Sequence, residues 1–529
     1  MRESMHWKPA TLATLLALLA QGCTVGPRYR APAPPTVTTY TPQPQSQPTA
    51  GAPGGPGSAS ITQHFSVSAE IPADWWTLFQ SPELNRMVNE ALQDSPTLMQ
   101  ATARLKQAQQ ELAARAGQTK YPTVTGNASV QQEQLNLSAY GIPFPNPSPF
   151  TLLNGSIAVS YALDLFGANR HLIEGLQAQR EYQQWQLEGA RLILAGNVVT
   201  AAVEEAQFEQ QLDLTRQMLE LQRQELAISI DRNQAGGVSD YDLCIQRTAV
   251  AQTEAKLPPL QQQLDAIHDE LALLMGKSAA EVRLNNVTLE SLTLPGELPL
   301  SLPSSMVKQR PDIRAAEALL HQANANAGVA TANQYPQILL TASAGGIGTS
   351  FLNGGDIWNV GSSLTEPIFN AGALRAEKRK ALAAYDEANG VYRQTVLEAF
   401  RQVADALYAA RHDSEALQSR TEAAREADVA WQIADRRYDA GGISHLDLLE
   451  VQRQKLQTAL DRTNSAASRF LDSATLIQAL GGGWWNKDLA TAPRKKPNSR
   501  GAQQAQGSKK DRACAQNDAC APNSNSESR

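Results

Sequence analysis

Aromatic residues make up only 6% of this 529-residue chain, and its mean hydropathy is −0.35. A composition so poor in bulky apolar groups suits long helices exposed on one side better than a compact enzyme. The seven histidines are dispersed without metal-ligand spacing, and no phosphate loop, nucleophile elbow or zinc motif is present. An enzyme is therefore not expected, and neither is a cofactor or a metal. A net charge of −6 with a pI near 5.8 argues against nucleic acid as a partner. Of the four cysteines, Cys244 is expected to be a small buried residue, while Cys514 and Cys520 lie in a polar tail where an oxidising compartment would allow them to pair.

The apolar run Ala10 to Ala20 follows Arg2 and Lys8 and is too short to span a bilayer, so it has the shape of a signal peptide. Gln21-Gly22-Cys23 ends it, and Cys23 is placed as a lipid-acceptor cysteine is. Ala20 stands three residues before the cysteine where the usual pattern has leucine, with Leu19 one further back. From 23 to 70 the chain is rich in Pro, Gln, Thr, Gly and Ser and reads as an extended or flexible tether; 491–529 is similarly polar and reads as a disordered tail.

What the chain has in place of catalytic motifs is a duplication. Ala235-Gly236-Gly237-Val238-Ser239-Asp240-Tyr241-Asp242-Leu243 returns as Ala440-Gly441-Gly442-Ile443-Ser444-His445-Leu446-Asp447-Leu448. In each copy two glycines end a helix, a serine can cap the next, and an aspartate falls in its first turn. Upstream, Tyr121-Pro122 matches Tyr335-Pro336, and Leu165-Phe166-Gly167-Ala168 matches Ile368-Phe369-Asn370-Ala371. Two repeats follow, 71–300 and 301–490.

Each repeat carries two extended runs, at about 122–134, 156–166, 336–348 and 358–369, read from their period-two pattern. Val124, Gly126, Ala128 and Val130 alternate with Thr123, Thr125, Asn127 and Ser129. One polar and one apolar face fits a barrel with lipid outside and water inside, and equally a soluble half-buried sheet. Four strands do not close a barrel, so a membrane role requires other subunits.

From Ala168 to Asn233 there is no proline, so a helix there would reach roughly 100 Å at about 1.5 Å per residue. Leu212, Leu219 and Leu226 form one heptad stripe; Leu214, Leu221 and Ile228 form another on nearly the opposite side. A helix with neighbours on both flanks fits a tube wall, while an ordinary antiparallel bundle remains the alternative. Val396, Phe400, Val403 and Leu407 give the second repeat a comparable seam, and Pro258-Pro259 should break the first returning helix.

Cys23-Thr24-Val25-Gly26-Pro27-Arg28-Tyr29, Trp75-Trp76-Thr77-Leu78-Phe79, Leu257-Pro258-Pro259-Leu260, Arg436-Arg437-Tyr438 and Ala479-Leu480-Gly481-Gly482-Gly483-Trp484 together resemble the NodT-type lipoprotein branch of the TolC/OprM superfamily, the outer membrane factors. The resemblance covers about 23–486. It implies a mainly α chain with transmembrane β-strands, assembled as a homotrimer with a twelve-stranded barrel in outer-membrane lipid and an α-helical periplasmic tunnel. The expected function is the exit duct of a tripartite efflux system, with a periplasmic adaptor and an inner-membrane pump of RND type as partners. It also implies lipidation at Cys23 and places Thr24, rather than an aspartate, beside it as in lipoproteins sent to the outer membrane.

On this resemblance the turns become periplasmic tips, 235–240 and 440–444. Gly236, Gly237, Val238 and Ser239, with Gly441, Gly442, Ile443 and Ser444, would meet the adaptor. Asp447 and Glu450 stand one turn apart and would ring the pore mouth, with Asp242 as the first-repeat counterpart of Asp447. Arg232, Arg436 and Arg437 are candidates to pair with acidic groups across helices and hold a gate closed. The competing reading is a non-conducting coiled-coil envelope lipoprotein, which needs the helices and has no use for four alternating strands.

Overall fold

The computed structural model describes residues 24–42, 47–55, 57–67, 70–141, 143–281, 287–350 and 354–486. Cys23, Cys514, Cys520, the signal segment and the tail lie outside the described residues. In chain order the elements are β1 (His64–Ser66), α1 (Pro82–Asp94), α2 (Pro96–Lys120), β2 (Thr123–Glu133), β3 (Phe150–Leu163), α3 (Ala168–Gln234), α4 (Asp240–Glu254) and α5 (Leu257–Leu274). The second repeat contributes β4 (Glu297–Pro299), α6 (Pro303–Gln309), α7 (Pro311–Ala332), β5 (Gln337–Gly348), β6 (Gly354–Thr365), α8 (Ala373–Asp439) and α9 (His445–Ala479).

Proline opens α1, α2, α6 and α7, where its missing N–H has no intrahelical acceptor to lose. α3 and α8 each run 67 residues, about 100 Å at ~1.5 Å per residue. The returning helix of the first repeat does break, between Glu254 and Leu257, and Pro258 and Pro259 then sit in the first turn of α5. α9 runs 35 residues without interruption. Among the described residues no helix is long and apolar enough to cross a membrane.

Four strands form one antiparallel sheet in the order β2-β3-β5-β6. Its register aligns the alternation of all four strands. Val124 pairs with Val159, Val159 with Ala342, and Ala342 with Val360, while the next row runs Thr123, Ser160, Thr341 and Gly361. One face is thus apolar from edge to edge, through Val130, Ile157, Tyr161, Leu340, Trp358 and Leu364, and the other is mostly polar, with Leu152, Leu339, Ile347 and Ile357 as apolar exceptions. Strand β3 begins earlier than its alternation suggests, because Phe150–Asn154 continue the pairing with Ser129–Glu133. The fourth strand ends at Thr365, so Ile368 and Phe369 lie beyond it.

The helices lie side by side. α3 packs along α9 and α9 along α8, α4 and α5 pack on α3, and nearer the sheet α7 lies between α3 and α8. Of the two leucine stripes on α3, Leu212, Leu219 and Leu221 are buried and Leu214, Leu226 and Ile228 half-buried. The main core surrounds the middle of these helices, where Trp75, Phe79, Leu84 and Met87 pack against Val198 and Phe470. A small parallel sheet, β1 with β4, lies at the same level.

The N-terminal segment is not a free tether. Val25 N–H donates to Phe166 O, His171 Nε2 lies 3.1 Å from Val25 O, and Tyr29 stacks on His321 at 4.1 Å. Further on, Tyr40 donates to Ser301 O and Ala50 N–H to Ser414 Oγ. Fully buried Arg469 gathers Ala59 O, Ile61 O, Thr49 Oγ1 and Gln63 Oε1. A Pro- and Gln-rich segment supplies few apolar groups but many carbonyls, and it docks as a strap through those. Cys244 also differs from expectation: it is exposed, because α4 buries Leu243 and Val250 and turns Cys244 away from α3.

Candidate functional site

α3 and α8 both leave the sheet and run the same length, so the two glycine turns lie together at the end remote from it. Each turn is closed by the same bonds. Ala235 N–H donates to Asp231 O, Gly236 to Asn233 O and Gly237 to Arg232 O; Ala440 donates to Arg436 O, Gly441 to Tyr438 O and Gly442 to Arg437 O. Gly236 (φ 76°) and Gly441 (φ 71°) are left-handed, which glycine adopts without the strain of a Cβ. Val238 and Ile443 follow them into the next helix.

Ser239 and Ser444 cap α4 and α9, accepting from Asp242 N and Asp447 N at 3.2 Å each. Both hydroxyls also donate at 2.7 Å to the aspartate that follows. Only the second turn completes the reciprocal bond, Ser444 N–H to Asp447 Oδ2 at 3.0 Å. These bonds from Ser444 hold the Asp447 carboxyl below the usual aspartate range, and the charges of Arg232 and Arg437 act in the same direction. Asp447 is thus occupied at its own helix start, while remaining fully exposed.

Glu450 is engaged by Arg453, one turn along α9, with Nε 2.9 Å from Oε2. Spacing of three on a helix announces this pair, which sequence reasoning missed. Across from it, Glu225 of α3 is 5% exposed; burial raises its pKa, Glu450 adds to that, and Arg453 opposes it. Arg436 folds back onto Gln432 O of its own helix at 3.1 Å. Among the described residues Arg232, Arg436 and Arg437 form no ion pair; Arg232 and Arg437 act on Asp447 only through longer-range charge.

A chain whose strands form a sheet with one apolar face, and whose 67-residue helices carry two hairpin tips about 100 Å away, has the build of an outer-membrane channel protomer. The profile of the family described as outer membrane efflux protein matches residues 87–277 and 302–482, one segment in each repeat, and the chain belongs to that family. It is 30% identical over 490 residues to the toluene efflux pump outer membrane protein TtgI of Pseudomonas putida, covering 91% of this chain and 99% of that one. The pyoverdine export outer membrane protein OpmQ of Pseudomonas putida is 30% identical over 416 residues, 78% of this chain and 88% of its own. The solved structure of the outer-membrane channel OprN superposes with a TM-score of 0.75 at 26% identity, covering 87% of this chain and all of that one. The fold is the helical tunnel plus strand barrel of that class, and the protein is an efflux channel component of the outer membrane.

Proposed function

We propose that three copies close into a duct that passively conducts drugs, solvents or other small toxic compounds from an inner-membrane pump of RND type, through a periplasmic adaptor, to the exterior. The observation that carries this is an open edge of the same sense at every level. The sheet ends on β2 and β6, and lipid does not tolerate an unpaired edge. β2 follows α2, and α2 and α4 flank α3; on the other side β6 leads into α8. Exposed apolar residues line both flanks: Met99, Tyr241 and Ile245 on one, Leu397, Val429 and Ile433 on the other. Joining unlike edges is a heterologous contact that closes a ring, and three four-stranded sheets give twelve strands.

In that ring the turns bearing Gly236–Ser239 and Gly441–Ser444 are the surface offered to the adaptor. Asp447 and Glu450 stand at the mouth, with Asp242 on the neighbouring hairpin, and Arg232, Arg436 and Arg437 surround them. Like-charged rings repel, so Arg453, which neutralises Glu450, joins them as a group that lets the mouth narrow. Cys23 would be acylated beside the barrel, since Thr24 packs against Gly167 where β3 passes into α3.

The test is conductance of the purified trimer in planar bilayers, alone and with Asp447→Ala and Glu450→Ala together. If neither protein conducts, the duct reading fails. Cys23→Ser should abolish palmitate labelling, and persistent label would remove that assignment.

A further inference from the structure

Beneath the sheet, the seam between α3 and α7 is filled by the N-terminal strap of the same chain. Val25 bonds Phe166 O and faces His171 of α3, Asn324 of α7 donates to Pro27 O at 3.3 Å, and Tyr29 stacks on His321 of α7. Two acids complete this seam. Asp164 accepts from Arg170 N at 2.9 Å and from its guanidinium at 3.4 Å, closing the start of α3. Glu174 Oε1 meets His321 Nε2 across the seam at 2.9 Å.

The duplication supplies a second seam of the same kind. α7 packs on both α3 and α8, whereas of these two α2 packs on α3 alone. In a closed ring its other side meets α8 of the next subunit. Both long helices follow a left-handed glycine, Gly167 (φ 87°) and Gly372 (φ 84°), and both run 67 residues, so they align residue for residue. Arg375 then stands where Arg170 does, and Arg379 where Glu174 does. Counted from the prolines that open α2 and α7, Lys106 stands where His321 does.

The second seam therefore sets cation against cation where the first sets an acid against a histidine. Pro367 to Ala371, which precede Gly372, include no acid to replace Asp164. Among the described residues Arg375, Arg379 and Lys106 form no ion pair, whereas further along α8 Arg401, Arg411 and Arg425 each hold a carboxylate. The neighbouring helix has none to spare: Glu111 is the single acid of α2, and its own Arg115 holds it at 3.1 Å. Arg375 and Arg379 lie one turn apart at the positive end of the α8 dipole, an arrangement that favours a bound anion.

The strap starts one residue after the acyl acceptor proposed at Cys23, so the seam it fills opens to the membrane. The equivalent seam does so too, and Ile368 and Phe369, 98% and 88% exposed, stand at its membrane end.

We propose that this seam, between Arg375 and Arg379 of α8 and Lys106 of the partner subunit, binds the phosphate of an anionic phospholipid from the periplasmic leaflet. One lipid per subunit sits with its acyl chains beside Ile368 and Phe369. Its phosphate does between subunits what Asp164 and Glu174 do within the chain, and it joins two helix faces that otherwise repel. The site rests on the duct reading and adds a ligand to its subunit contact.

The experiment is native mass spectrometry of the full-length trimer in detergent, given equal amounts of dioleoyl phosphatidylglycerol and dioleoyl phosphatidylcholine. The parent should retain the anionic lipid about tenfold or more over the zwitterionic one, and Arg375→Gln with Arg379→Gln should erase that preference, at about fivefold for each charge removed. Arg411→Gln with Arg425→Gln makes the same charge change lower on the helix and should keep the preference. If the first double variant does not assemble, Arg379→Gln alone is measured, with a loss of about fivefold expected. No preference in the parent, or one that survives loss of the seam arginines, overturns the site. Displacement of the lipid by millimolar inorganic phosphate would show that a free anion suffices, and overturns the lipid as occupant. A protein that is monomeric and never conducts sinks the duct reading, while a conducting trimer without lipid preference sinks the site alone.

Discussion

Asn233 donates a 3.0 Å hydrogen bond to Asp240, joining the last turn of α3 to the first turn of α4. The same amide also donates to Val238 O at 3.0 Å, so one side chain spans the whole glycine turn. At the equivalent places in the second turn stand Tyr438 and His445, whose rings lie 5.2 Å apart and tilted by 33°. The two tips share a backbone and differ in what clasps it: two directional bonds in one, a ring contact in the other.

Asn233→Ala should therefore loosen the first tip alone. Each lost bond is worth about 0.5–1.5 kcal/mol. Amide exchange over Gly236–Asp240 should accelerate by about threefold to tenfold per bond lost, with Gly441–His445 unchanged. Equal acceleration at both tips would show that the turns are coupled rather than separately clasped.

The sheet register predicts opposite outcomes for one substitution on its two faces. Ile157 lies in the apolar row and is 60% exposed, whereas Asn127 belongs to the polar set. Ile157→Arg should cost about 2–4 kcal/mol if it sits near the bilayer midplane, enough to depress folded trimer in the membrane. Asn127→Arg should leave assembly intact and alter ion selectivity instead. Folded trimer on heat-modifiability gels checks both, and tolerance of Ile157→Arg would reverse the assignment of faces.

Arg469 is 1% exposed and anchors the strap through four acceptors. Burial lowers its pKa to about 10, so it still carries its charge at neutral pH. Arg469→Met keeps the volume and removes every donor. Leaving even two of those acceptors unpaired costs about 2–6 kcal/mol. Limited proteolysis should then cut the strap between residues 47 and 67, which the parent protects. A strap equally resistant in the variant would mean that β1 pairing with β4 holds it unaided.

The repeats, the turns and the four strands were legible because their signals are local. Glycine at a left-handed position, serine before a helix and alternation along a strand need no knowledge of distant residues. The strap was not legible, since its acceptors are satisfied by His171 and Arg469, 146 and 410 residues away in the chain. The bonds from Gln207 and Gln211 to Asn464 were missed for the same reason: one asparagine among many polar residues becomes special only when α3 and α9 are set in register. Glu450 and Arg453 stood in view, three residues apart, yet reading the acid as a lone pore charge hid its partner.

Glu205 offers a pH test with a definite sign. It is fully buried in α3, neither oxygen has a hydrogen-bond partner among the described residues, and His268 Nε2 lies 2.9 Å from Oε1 without the alignment of a bond. Burial, with Glu209 and Glu83 nearby, pushes its pKa up from 4.5 to about 8. Between those two values the native protein holds a proton that the unfolded chain has released. The stability this contributes is full below pH 4.5 and is lost as pH rises through about 8. Glu205→Gln keeps the shape and cannot ionise. Thermal unfolding of parent and variant should nearly coincide at pH 5, and by pH 9 the variant should unfold at least about 2 °C higher. Parallel curves across that range would mean that Glu205 is ionised in the native protein and paired with His268.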